Sequence, residues 1–220
     1  MKKQYLGDSK DSFKWDYHDF LAEELNYPVL NIMLMMTPDD QSNDGKTHPT
    51  LFPARKEILD FCDDLRNEGK IVLISSLPER TNSNYTVNLH NNDMQITNTN
   101  RKTYFSGLSH KEDQLLLLDP DNGFEPEKSF NEKHVLYSDL SYILEQVSES
   151  SVVSVFQHFR RKAFTKDFAR IKERLTKYHA TAIYWHSLMF VAISKSECTI
   201  KRVSDANEKY SKDNPVKVIA

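Results

Sequence analysis

The chain has few of the residues that usually announce a cofactor loop. Among 220 residues there are only 5 glycines and 2 cysteines. No Gly-x-Gly-x-x-Gly run and no Gly-x-x-x-x-Gly-Lys-Ser/Thr run occurs. Dinucleotide binding and P-loop nucleotide binding therefore lack the backbone cradles they normally use. Cys62 and Cys198 have neither a Cys-x-x-Cys partner nor a nearby Cys/His ligand spacing. That argues against a disulfide framework and an ordinary zinc site, and leaves Cys62 as a small core residue on a helix. Gly-x-Ser-x-Gly and His-Glu-x-x-His are also missing, so serine-hydrolase and zinc-protease chemistry have no signature. No apolar run approaches the ~20 residues that span a bilayer. The basic start, Met1-Lys2-Lys3-Gln4, is not followed by the apolar stretch of a secretory signal. These absences predict a cytoplasmic protein with no membrane partner. The formal charge of −3 rules against coating nucleic acid by bulk positive charge. It leaves room for a local basic cluster at Arg160, Arg161, Lys162 and Lys166, which equally suits a solvated helix face.

What is present is an ordinary globular balance, 39% hydrophobic and 28% charged. Apolar residues at helical spacing predict a helix over 12–25, capped by Asp11 or Ser12. After Pro28, the nearly continuous apolar run 29–36 predicts a buried strand. A helix over 54–67 should stop at Gly69. The apolar stretch 70–75 predicts a second buried strand. Residues 78–113, rich in Asn and Thr, read as an insertion or mobile flap, with a weak strand at 85–89. Then follow a strand at Leu115–Leu118, a helix over 137–147, a strand over 152–156 and a helix over 164–178. Strands over 180–185 and 188–193 are separated only by His186-Ser187, which predicts an antiparallel hairpin. This order predicts one α/β domain over 1–203, a Rossmann-like, mostly parallel sheet with helices on both faces and a C-terminal antiparallel hairpin. Residues 204–220 read as a loose polar tail.

In such sheets ligands bind beyond the carboxyl ends of the strands. Asp119-Pro120-Asp121-Asn122-Gly123-Phe124-Glu125 stands at one such end, where two carboxylates and an amide follow four leucines. Its acids suit a divalent cation, an acid with an amide suits an amino group, and the loop also suits a capped turn. Asp119, Asp121, Asn122, Glu125 and His158 are the candidate catalytic residues. Gln157, Arg160 and Arg161, beside His158, are candidate substrate contacts. Thr37-Pro38-Asp39-Asp40 and Asn43-Asp44-Gly45-Lys46 follow the first strand. Gly7-Asp8-Ser9-Lys10-Asp11-Ser12-Phe13-Lys14 opens the first helix, where Asp8 and Asp11 also suit a plain helix start.

The order of α/β units closed by a hairpin is similar to that of class I methyltransferases. Gly7-Asp8…Asp11…Lys14 resembles the opening of the J-type 23S rRNA adenine-N6 methyltransferases and the three-Cys-motif partner proteins. Asp119-Pro120-x-x-Gly123 resembles the Asp-Pro motif at their fourth strand, Asp-Pro-Pro-Tyr in the adenine enzymes, which grips the target amino group. A related bacterial family is similar at more positions. These are Gly7, Asp8, Asp11 and Lys14; Thr37, Pro38, Asp39, Asp44, Gly45 and Lys46; Asp119 through Gly123 with Glu125; and Gln157-His158. The resemblance implies a methyltransferase-like enzyme acting on nucleic acid or a nucleotide, with S-adenosylmethionine as the cofactor such enzymes use. Asp119 and Asn122 would then meet the acceptor, and Asp8, Asp11, Lys14, Asp44 and Lys46 would meet the cofactor. Two departures stand out: the cofactor loop keeps a single glycine, Gly45, and Asp121-Asn122 replaces Pro-Tyr, so the aromatic that would stack on a flipped base is missing. Two other readings remain open. One is a Mg- or Mn-dependent phosphodiesterase or nuclease, with Asp8, Asp119, Asp121 and Glu125 as metal ligands and His158 and Arg160 facing the phosphate. The other is a catalytically inactive binding module.

Overall fold

The architecture, from a computed structural model, is described for residues 1–38, 47–108 and 112–220. In chain order the elements are α1 (Ser9–Leu25), β1 (Val29–Met33), α2 (Lys56–Glu68), α3 (Leu77–Thr81), β2 (Thr86–Leu89), α4 (Arg101–Tyr104), β3 (Leu115–Leu118), β4 (Gly123–Phe124), β5 (His134–Val135), α5 (Tyr137–Gln146), β6 (Val152–His158), α6 (Phe164–Arg174), β7 (His179–Trp185), β8 (Leu188–Ser194), α7 (Glu197–Asp213) and β9 (Lys217–Ile219). The main sheet runs in the order β2-β1-β3-β6-β8-β7-β9. The pairings from β2 to β6 are parallel and those from β6 to β9 antiparallel. The α/β class, the mostly parallel centre and the hairpin of β7 and β8 are thus as the patterning predicts. The short β4 and β5 pair in a separate ribbon just past the end of β3.

Side chains alternate across a strand, so the four leucines of β3 serve two cores. Leu115 and Leu117 pack with Phe13 and Leu21 of α1, Ile58 of α2 and Val203 of α7. Leu116 and Leu118 pack with Tyr104 of α4, Leu140 and Ile143 of α5 and Ile171 of α6. All four are fully buried, each contributing about 1.5–3 kcal/mol by leaving water. A strand covered on both faces reads as a continuous apolar run, which is why β3 stood out in the sequence.

Three predicted elements differ. Residues 70–75 form a 3-10 helix, Ile71–Ser76, and not a strand. Ile71 and Ile74 are buried while Val72 is 63% exposed, a spacing of three that belongs to a helix; a short apolar run does not reveal its period. The place of that strand is taken by β2, so the Asn-rich segment belongs to the body of the fold. Its Tyr85, Ile96, Tyr104 and Phe105 are buried, and Thr86–Leu89 pairs along β1.

The polar tail is ordered as well, because its partner is a polar helix. Helix α1 starts at Ser9, capped by Asp8, and buries Lys14, Asp16, His18 and Asp19 as well as its apolar residues. Such buried polar groups need partners in the interior, and α7 supplies them for Tyr17 and Asp16. Tyr17 Oη donates to Asn207 Oδ1 at 2.8 Å, and Tyr210 Oη donates to Asp16 Oδ2 at 2.6 Å. Asp16 and Asp19 also receive the Arg55 guanidinium at 2.8 and 2.7 Å. Val203, Ala206 and Tyr210 complete the core on that face, and β9 pairs with β7. Among the described residues, no helix is long and apolar enough to cross a membrane.

Candidate active site at the ends of β1, β3 and β6

The central strands end on one side in loops that converge. Asp119, directly after β3, is buried, and its Oδ2 accepts a hydrogen bond from Lys14 Nζ at 2.7 Å. Lys14 Nζ donates also to Asp11 Oδ1 at 2.7 Å. Asp11 Oδ2 accepts from the Gly7 backbone N–H at 2.9 Å, and Asp8 caps α1 by accepting from the N–H of Lys10 and Asp11. The predicted Gly7–Lys14 cluster and the Asp-Pro loop are thus one connected network. Burial alone would lower the Lys14 pKa, but Asp11 and Asp119 outweigh it and raise it above the ordinary lysine value. Burial raises the Asp119 carboxyl in turn. The two 2.7 Å contacts favour the charged pair, and protonated Lys14 is the state the geometry supports. Burial, with Asp11 adding to it, raises the Asp8 carboxyl to about 6.

The adjoining acid has other partners. Asp121 Oδ1 lies 2.9 Å from the Met1 ammonium without an aligned hydrogen bond, and Asp121 Oδ2 accepts from the Thr37 hydroxyl. Burial works to raise this carboxyl, but the ammonium and the Thr37 hydroxyl win and hold it below the usual value. The Met1 ammonium also donates to the carbonyls of Met35 and Asp119, at 2.9 and 3.2 Å.

Two glycines let these segments approach. Gly7 has φ +73°, and a Cβ there would lie 2.9 Å from Arg66 Cβ and collide with the Cys62 carbonyl. Gly123 has φ +98°, and its Cβ would come within 2.7 Å of Gln157 Cδ and 2.9 Å of Gln157 Cα. Both positions demand a residue without a side chain. Gln157 is not a pocket contact. It is buried, its Oε1 accepts from Phe124 N at 2.9 Å, and it fixes the chain leaving the Asp-Pro loop.

A pocket of about 220 Å³ opens on this network. Of the predicted residues it brings together Asp8, Asp11, Lys14, Asp119, Asp121, Asn122 and His158. Lys10 of the Gly7–Lys14 segment lines it too, as do Lys133 and Phe156, which no local motif in the sequence marked, and Tyr5. Glu125 is elsewhere: its Oε1 accepts from the Tyr137 backbone N–H at 3.0 Å, at the start of α5. Arg160 points away, donating to the Phe124 carbonyl at 2.9 Å, and Arg161 is exposed at φ 59°. Asp44 and Lys46 lie outside the described residues.

Among the described residues, Asp8, Asp119, Asp121 and Glu125 are not gathered as a metal-ligand group. Each carboxylate is engaged by a helix N-terminus, Lys14, Met1 or Thr37. Among the described residues no group of three or more His, Cys, Asp or Glu side chains is placed to hold an ion. Two acceptors remain available at the pocket. Asp119 Oδ1 and Asn122 Oδ1 receive no hydrogen bond among the described residues, the other oxygen of Asp119 being held by Lys14 and the Asn122 amide nitrogen lying 3.4 Å from His134 Nε2.

No protein-family model, curated protein or solved structure shows significant similarity to the chain.

Proposed function

We propose that the protein is a methyltransferase-like enzyme domain acting on an amino group of a nucleobase, in a nucleotide or a nucleic acid. One observation carries the reading: at a strand-end pocket, Asp119 Oδ1 and Asn122 Oδ1 accept no hydrogen bond among the described residues. Two acceptors suit the two N–H bonds of an exocyclic amine, and a carboxylate makes the stronger of such bonds. The parallel α/β units closed by an antiparallel hairpin support the same reading, because class I methyltransferases are built in that order.

The donor set also suits S-adenosylmethionine in kind. Asp8 and Asp119 favour a cationic or amino-bearing ligand, and Tyr5 and Phe156 add aromatic surface to the pocket wall. The space bounded by the described residues is about 220 Å³, below the ~300–1,000 Å³ of a drug-sized ligand site. As the described residues bound it, that space matches one base-sized group. When bound, that cofactor would supply an electrophilic methyl group. Lys14 would hold Asp119 ionised and oriented, so that its free oxygen accepts from the amine and withdraws positive charge as the nitrogen is alkylated.

Calorimetry with S-adenosylmethionine, and transfer of its labelled methyl group to adenine-containing nucleotides and RNA, test this. Asp119→Asn and Asn122→Ala should each lower kcat by about 10²–10³ while the fold, read by circular dichroism, stays unchanged. Absence of binding at millimolar cofactor would remove the methyl-transfer reading.

A further inference from the structure

A second surface is formed by the loop after β4, the segment after β6 and helix α6. It is a groove of about 310 Å³ lined by Pro126, Glu127, Lys128, Arg160, Lys162, Asp167 and Arg170. Its cations are incompletely matched. Arg160 and Arg170 share one buried carboxylate, Asp167, through contacts of 3.3 and 3.2 Å. These are long for charge-assisted bonds, which run near 2.7–2.9 Å. Arg170 Nη2 is buried without an aligned hydrogen bond. Arg174, one turn further along α6, covers the Tyr137 ring at 4.8 Å and makes no ion pair among the described residues. The hydroxyl of that tyrosine is itself buried with no partner among the described residues. Burial lowers the Arg160 guanidinium from its ordinary value, Asp167 offsets part of this, and the nearby Arg170 adds to it. The lining carries four cations, Lys128, Arg160, Lys162 and Arg170, against two acids, Glu127 and Asp167, so the groove is deficient in anion.

The same loops expose aromatic rings. Among the described residues two phenylalanines stand out to solvent, Phe130 at 52% and Phe159 at 42%. Phe159 sits in the chain between His158, which lines the pocket, and Arg160 of the groove, and leans edge-on against Phe164 at 5.6 Å. Phe130 follows Lys128 on the loop between β4 and β5. Basic groups interleaved with exposed rings are the composition of a single-strand binding surface: guanidiniums take phosphates and rings stack on bases without regard to sequence.

We infer that this groove docks the backbone of a single-stranded nucleic acid, with Arg160, Arg170 and Arg174 facing phosphate and Phe159 stacking a base next to the one presented to Asp119 and Asn122. The inference rests on the reading of the pocket as a nucleobase site. It also explains how a net negative chain engages a polyanion: the positive charge is local. Arg161 and Lys162, exposed beside Phe159, extend the surface.

Fluorescence anisotropy of the full chain with a labelled single-stranded oligonucleotide, at several salt concentrations, is the test. The single strand should bind more tightly than a duplex of equal length, with log affinity falling linearly in log salt. Arg174→Gln and Lys162→Ala, both at exposed positions, should each reduce the steepness of that line by about 0.7. Phe159→Ala should weaken binding roughly five- to hundredfold, the range of one lost base–ring stack. Binding indifferent to all three substitutions would overturn the inference, as would preference for duplex or equal affinity for an acidic peptide of the same charge. Calorimetry of the unaltered protein with S-adenosylmethionine, beside its oligonucleotide titration, separates the two readings. Cofactor binding without oligonucleotide binding sinks the groove alone, and oligonucleotide binding without cofactor binding sinks methyl transfer alone.

Discussion

Lys14 and Asp119 are 105 residues apart in the chain and meet at 2.7 Å in the interior. Their contact joins the first helix to the central strand and sets the floor of the pocket. Asp11, at 2.7 Å on the other side of the ammonium, makes the lysine a bridge between two acids.

Removing that bridge should be severe. Lys14→Met leaves Asp11 and Asp119 buried without their counter-charge, and losing one partner of a buried ion pair costs about 3–5 kcal/mol. Urea unfolding should show this as a lower midpoint at unchanged slope. A loss under about 1 kcal/mol would mean that the pair is dispensable.

Gly123→Ala should be worse than its size suggests. The new methyl group meets Gln157 at 2.7–2.9 Å, and the backbone is left-handed there. Strain of this kind costs about 1–3 kcal/mol before any clash. Gly69→Ala is the control, because its φ is also positive at +61° but nothing lies within 4 Å. The melting temperature should fall further for Gly123→Ala than for Gly69→Ala, and equal losses would contradict the close approach of Gln157.

Acid stability should depend on His18. Its Nδ1 lies 2.7 Å from the Lys14 carbonyl, so that nitrogen carries the proton, and Nε2 accepts from Ser154 at 2.9 Å. Burial lowers its pKa from 6.5 to about 3, with the Lys14 carbonyl opposing and the Lys14 charge reinforcing the shift. Between those values the unfolded chain binds more protons than the folded one, so stability falls as pH drops from about 6.5 toward 3. Asp8 acts oppositely: raised to about 6, it favours the folded state less as pH rises from 4 to 6. Between pH 4 and 6 the two slopes oppose each other, and the His18 loss stands alone from about 6.5 to 6 and below 4. Relative to the parent, His18→Gln should therefore lose less stability, or gain some, as pH drops from about 6.5 to 4, measured by unfolding at stepped pH. An unchanged profile would place the acid sensitivity elsewhere.

Tyr210→Phe tests whether the C-terminal helix is structural. It removes the hydroxyl donated to Asp16 at 2.6 Å and leaves a buried carboxylate one donor short, a cost of about 1–3 kcal/mol. Thermal unfolding of the variant would show no change if residues 204–220 were a loose tail.

Much of this was legible along the chain. The four leucines of β3, the hairpin at His186-Ser187 and the α2 stop at Gly69 announced themselves, because apolar period, turn residues and left-handed glycine are local properties. The site residues Asp8, Asp11, Lys14, Asp119, Asp121, Asn122 and His158 could be picked out because polar groups at strand ends and helix starts are conspicuous against apolar neighbours. Other features depended on distant partners. The weak strand expected at 85–89 is β2, but that it, and not residues 70–75, pairs beside β1 is a matter of tertiary pairing. Glu125, Arg160 and Gln157 left the pocket for roles as cap, brace and support, since each found a backbone partner before it could face the cavity. The polar residues of α7 read as a tail only until α1 is seen to bury Asp16 and Tyr17 against them. Local pattern therefore determined which segments are core and which loops carry polar groups. Tertiary structure decided which of those groups meet, because a buried charge or hydroxyl is stable only where the fold brings it a partner.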